Sequence, residues 1–161
     1  MDVAYINPFI ESVGDLFTNM LSAKVSRGKV GVSGGDFPPR AITGLIGLSG
    51  PTRGTVALSF PVPTALAMVN KLLGSETRVV DNTVTDAVAE MVNIVAGGAK
   101  ARLSGDGTPL DLSLPTVVRG ENYDVEYPSG VKWLEVAFES ELGDFRLRVT
   151  LEENSPSSDA N

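Results

Sequence analysis

At 161 residues the chain has room for one domain with a sizeable core, and its 42% hydrophobic and 20% charged residues are the balance of a globular protein. A net charge of −7 argues against nucleic acid and anionic membrane surfaces as partners. The chain has no cysteine and no histidine, which excludes disulfides, thiol nucleophiles, a Ser–His triad and the commonest zinc ligands.

The opening MDVAYINPF lacks the basic start and apolar run of a secretory signal, and no stretch approaches the ~20 apolar residues of a membrane span. A cytoplasmic location without membrane insertion is the default expectation. The first predicted helix runs from Pro8 to Leu21, with Asn7 as its cap and Pro8 in the first helical position. Phe9, Ile10, Val13, Leu16, Phe17, Met20 and Leu21 form its apolar stripe. Three strand-like runs follow: Lys24–Ser33, Ala41–Leu48, and Gly54–Phe60 after a turn at Pro51–Gly54. Gly34–Arg40, rich in glycine and proline, reads as the loop between the first two.

Pro63 opens a second helix that ends at Leu73, with Gly74 in the C′ position. The third and longest helix spans Thr83–Ser104. Three further strands are predicted at Leu110–Val118, Val131–Ser140 and Phe145–Glu152, the last two joined by a hairpin near Leu142–Asp144. The polar tail, residues 154–161, reads as disordered. Residues 1–153 then form one α+β domain: a two-layer sandwich of a six-stranded, mainly antiparallel sheet with three helices. Each half follows a crude pattern of helix and three strands, a repeat the residues alone carry weakly.

Several apparent motifs dissolve on inspection. Gly31-Val32-Ser33-Gly34-Gly35 matches G-x-S-x-G, but that nucleophile elbow needs a following helix and a histidine, so it reads as a Gly-rich turn. No phosphate-binding glycine loop is present. Asp106 and Asp111 lack the spacing of a calcium loop. Glu121, Asp124 and Glu126, with Tyr123 and Tyr127, read as a solvated loop in preference to a partner surface.

The long helix is different. At about 100° per residue, Val84, Val88, Met91, Val95, Ala99 and Arg102 share one side, where the core should lie and Arg102 must snorkel. Asp86, Ala89, Glu90, Asn93, Ala96, Gly97 and Lys100 take the other. An exposed helix face is ordinarily dense with long charged side chains. This one offers a carboxylate and a carboxamide, one turn apart, among alanines and a glycine. Gly97 and Gly98 each cost about 1 kcal/mol against alanine inside a helix. Gly98 faces the core side, where close helix–sheet packing would explain it; Gly97 faces outward, where close approach by a partner would. The competing possibility is that the pair ends the helix as a C-cap, although AKARLS continues a plausible turn.

The run Glu-Met-Val-Asn-Ile-Val-Ala-Gly-Gly-Ala-Lys-Ala, Glu90 to Ala101, resembles the active-site helix of the CheC/CheX/FliY family of bacterial chemotaxis phosphatases, whose signature is Glu-x-x-Asn before an Ala/Gly-rich turn. Ile6–Val13 resembles the start of CheX-type members, and the element order is similar to theirs across nearly the whole chain. Members with two active helices carry the same pair on the first helix; here Glu11-Ser12-Val13-Gly14 keeps the glutamate and has glycine in place of asparagine. That departure points to the single-site CheX branch.

The resemblance implies a phosphatase acting on the aspartyl phosphate of a phosphorylated CheY-type response regulator, and a homodimer. It makes Asn93 the residue that orients the attacking water and Glu90 the one that pairs with the regulator's lysine. Asp86, Ala89, Ala96, Gly97 and Lys100 would surround them at the interface. It implies no cofactor held by this chain, the Mg²⁺ being supplied by the regulator. A non-catalytic module that binds a response regulator or the flagellar switch is the competing function.

Overall fold

The computed structural model describes residues 3–33, 42–105, 107, 109–120 and 132–153. The Gly34–Arg40 loop, the cluster around Glu121–Tyr127, Asp106 and the tail lie outside the described residues.

Alternating apolar and polar residues build a single antiparallel sheet. Its segments are β1 (Val25–Arg27), β2 (Gly31–Ser33), β3 (Ile42–Ser49), β4 (Thr52–Phe60), β5 (Asp111–Leu112), β6 (Thr116–Arg119), β7 (Trp133–Ser140) and β8 (Phe145–Glu153). They lie in the order β1-β7-β8-β4-β3-β5, with β2 also on β7 and β6 also on β3. Eight segments thus fill six positions, because each edge strand is interrupted once. Arg27 faces Phe138 and Gly31 faces Glu135, so four steps along one chain oppose three on the other. Leu112 faces Leu48 and Thr116 faces Leu45, again four steps against three. Each interruption is a one-residue bulge, a device that blunts an exposed edge. The runs Lys24–Ser33 and Leu110–Val118 are therefore single strands in position and split strands in hydrogen bonding.

The strand order is unchanged when β1/β2, β3 and β4 are exchanged for β5/β6, β7 and β8, and β4–β8 is the central pair. The repeat that the residues carry weakly is plain in the topology.

Three α-helices accompany the sheet: α1 (Asn7–Asp15), α2 (Val62–Leu73) and α3 (Asn82–Gly105). Asn7 does not cap α1. The helix grows out of a 3₁₀ turn at Val3–Ile6, so the residue before it is already helical and no side chain caps it, whereas a capping residue needs extended backbone. From Leu16 to Leu21 the helix widens into a π turn. Five-residue spacing turns both Leu16 and Leu21 inward with Phe17, and leaves Met20, expected on the stripe, 47% exposed. Helix α2 stops at Gly74 in the left-handed region, as its sequence predicts. The turn before β4 falls at Gly50–Pro51, earlier than the Pro51–Gly54 expected.

The helices cover one sheet face. Ile42, Ile46, Val56, Leu58, Phe60, Leu134, Val136, Phe138, Phe145, Leu147 and Val149 meet Phe9, Val13, Phe17, Met68, Val88, Met91 and Val95 in one core. Phe145 stacks on Phe138 and Phe17 at centroid distances of 5.0 and 5.5 Å. Alternation along β8 sends Arg146 and Arg148 to the other face. There Arg148 is fully buried, with its Nε 3.5 Å from Glu135 Oε2 and its guanidinium 4.9 Å from the Trp133 ring centroid. Arg146 Nη1 lies 2.9 Å from Glu135 Oε1. Among the described residues, no helix is long and apolar enough to cross a membrane.

Candidate active site

Helix α3 is fixed at its start by Asp81, whose Oδ1 accepts the Val84 N–H at 3.0 Å and whose carbonyl accepts the Thr85 N–H at 3.1 Å. This is an N-cap that the sequence reading missed. The preceding connection is held by Asn70: its Oδ1 accepts from Ser75 Oγ (2.8 Å) and Thr77 N (2.9 Å), and its Nδ2 donates to the Thr77 carbonyl (2.9 Å). The catalytic-helix candidate therefore leaves a braced loop with a defined first turn.

Val84, Ala87, Val88, Met91, Val92, Val95, Ala96, Ala99 and Leu103 of α3 are buried. The expected stripe is present but wider, since the helix packs on the sheet and is flanked by α1. Ala96 is a correction. It lies about 100° round from Val95, on the flank shared with Val92 and Leu103, and is fully enclosed in the core. A methyl at that angle is covered by its larger neighbours, so Ala96 is a packing residue and offers no partner surface.

The remaining outer residues stand where the wheel puts them. Asp86, Glu90 and Asn93 are exposed; Ala89, Gly97 and Lys100 are half-buried. The helix runs unbroken through Gly97 and Gly98 to Gly105, so the pair is not a C-cap. A Cβ at Gly97 would meet nothing within 4 Å. At Gly98 it would stand 2.2 Å from Ser12 Oγ on α1. Gly98 thus permits a helix–helix crossing in place of the helix–sheet contact expected.

Arg102 does leave the core side, by reaching α1. Its Nε lies 2.9 Å from Glu11 Oε2, its Nη2 2.5 Å from Asp15 Oδ2, and its Nη1 donates to the Gly98 carbonyl at 3.3 Å. The hydrogen bond to Asp15 does most to raise the guanidinium pKa above its ordinary value, with the nearby charges of Asp15 and Glu11 adding to it against partial desolvation. The sequence signal for this contact was the one cation on an otherwise apolar stripe. Its partners were not readable locally.

Among the described residues, neither Glu90 nor Asn93 has a side-chain hydrogen bond or ion pair, and no His/Cys/Asp/Glu cluster of three or more is placed to hold a metal. Residues three apart on a helix have Cβ atoms about 5–6 Å apart. The pair is therefore a two-pronged projection, an acceptor beside a donor–acceptor, on a surface low enough for another protein to close upon.

Residues 42–139 match the family model for the chemotaxis phosphatase CheX. The chain is 28% identical to the CheY-P phosphatase CheX of Thermotoga maritima over 152 residues, covering 94% of this chain and 97% of that protein. A CheC-like superfamily protein from Shewanella sp. PV-4 superposes with a TM-score of 0.86 at 33% identity, covering 94% and 99% of the two chains. The CheX of Borrelia burgdorferi, in a complex with CheY, BeF3 and Mg²⁺, has the same fold, with a TM-score of 0.79 at 24% identity, covering 94% and 100%. With its sheet, its long helix and the exposed Glu90–Asn93 pair, this chain belongs to the CheX family of chemotaxis phosphatases.

Proposed function

We propose that this protein hydrolyses the aspartyl phosphate of a CheY-type response regulator, with Asn93 orienting the attacking water and Glu90 docking against the regulator's active-site lysine. The observation that carries the reading is the exposure of both side chains on a face where their near neighbours Ala89 and Gly97 are small. The T. maritima relative, named a CheY-P phosphatase and aligned along nearly the whole chain, supports the reaction.

An acyl phosphate is already activated, so its hydrolysis needs neither an enzyme nucleophile nor a strong base. It needs one water held in line with phosphorus, which suits a chain without histidine or cysteine. A carboxamide holds such a water through a donor and an acceptor that do not titrate. The glutamine that positions water in GTPases does the same work. Freezing the geometry of one water and one phosphoryl group is an entropic contribution, and its efficiency depends on sub-ångström placement. In this reading the Mg²⁺ of the reaction is supplied by the regulator.

Adding the protein to a panel of phosphorylated CheY-type regulators should release inorganic phosphate faster than autodephosphorylation for at least one of them. A module that only binds would leave the phosphate lifetime unchanged or prolong it.

A further inference from the structure

By the family resemblance, Glu11 and Gly14 on α1 correspond to Glu90 and Asn93 on α3. Glu11 is not presented to a partner in the same way. One turn of α1 grips the last third of α3 through two carboxylates: Glu11 at 2.9 Å and Asp15 at 2.5 Å from Arg102. Between them Ser12, 3% exposed, points Oγ at the Ile94 carbonyl, 3.5 Å away, and lies against the bare backbone of Gly98. The α3 residues that Ser12 meets, Ile94 and Gly98, directly follow Asn93 and Gly97 in sequence. The grip therefore falls beside the residues that must meet the regulator.

The two ion pairs, with carboxylates more than half exposed, contribute little to folding by themselves and are screened by salt. Side-chain tips lie about 5–6 Å from a helix axis, so turning α3 by 10° moves the Asn93 carboxamide by about 1 Å. A displacement of that size can cost up to ~10²-fold in rate when it misplaces a reactant.

We propose that α1 is the brace that sets the rotation of α3, and that Arg102 is a positioning residue for the water held by Asn93. This rests on the phosphatase reading above. It gives the Glu11–Asp15 turn a role that is neither a second docking face nor simple packing.

The test is a mutant cycle on the intact protein: Arg102→Met, Glu11→Gln with Asp15→Asn, and all three together. Each is assayed for dephosphorylation of a CheY-type regulator and for amide exchange along α3. The brace predicts that kcat falls about tenfold in each variant with KM within about twofold, that the triple variant is no worse than either parent, and that exchange quickens at residues 93–101. Unchanged kcat or unchanged exchange in Arg102→Met overturns it. So does a gain in regulator affinity on Arg102→Met that disappears with Glu11→Gln, since Glu11 would then be a docking carboxylate. If the starting protein releases phosphate no faster than its Asn93→Ala variant, the phosphatase reading fails instead, and the exchange measurement alone decides the brace.

Discussion

Ser12 and Gly98 meet so closely that α1 and α3 could not cross where they do if residue 98 carried a side chain: its Cβ would lie 2.2 Å from Ser12 Oγ and 3.1 Å from Ser12 Cβ. Gly98→Ala gains roughly 1 kcal/mol of helix propensity and forces a buried clash of about 1–3 kcal/mol. We expect a net loss near 1 kcal/mol, seen as a melting temperature lower by about 2–4 °C. Ser12→Gly in the same chain should recover part of it. A melting temperature at or above the parent's would mean the crossing is looser than described.

Gly97, one residue away, predicts the opposite sign. Nothing stands within 4 Å of a Cβ there, so Gly97→Ala should stabilise the protein by about 0.5–1 kcal/mol. Gly97→Gln should fold equally well yet raise KM for the regulator at least tenfold, because the longer side chain occupies space the partner needs. Thermal melts and steady-state phosphate release, run side by side, check the pair. A Gln variant with unaltered KM would remove Gly97 from the interface.

Glu90 should act mainly in docking. In Glu90→Ala we expect weaker regulator binding, by about 1–2 kcal/mol for a charge-assisted contact at an interface, with the fold intact. Titration by fluorescence or calorimetry reads it. Unchanged affinity together with unchanged turnover would remove the role assigned to it.

Far from this site, Glu135 faces Arg148 across β7 and β8 and also contacts Arg146. Arg148 is fully buried, and taking one partner from a buried ion pair is costly. We expect Glu135→Ala to lose about 2–3 kcal/mol, lowering the melting temperature by about 5–10 °C, while the specific activity of the folded protein stays near that of the parent. A shift under about 1 °C would mean the pair contributes little.

The long helix was legible because its message is periodic. Val84, Val88, Met91, Val95 and Ala99 repeat at helical spacing and are all buried, and Glu90 and Asn93 fall opposite and are exposed. Six strand positions and the Gly74 stop were likewise local signals. What escaped depends on neighbours distant in sequence. Ala96 falls on the outer side of the wheel yet is buried, because the wheel marks a direction without saying how far the core wraps round. Arg102 falls on the core side of the wheel, from which it must snorkel, and its partners are more than 80 residues away on α1. The bulges at Gly28–Val30 and Ser113–Pro115 come from pairing register, which no single strand encodes. Asn7 shows the reverse, a sound local cap signal made idle by a preceding 3₁₀ turn.

The central claim is that Asn93 holds the hydrolytic water. Its side chain is exposed and, among the described residues, makes no hydrogen bond, so its removal should leave the melting curve within about 1 °C, the usual range for surface substitutions. The most direct measurement is the rate of phosphate loss from a saturating phosphorylated regulator with the Asn93→Ala protein. A drop of at least ~10²-fold is the predicted result; a rate within a few-fold of the parent would contradict it.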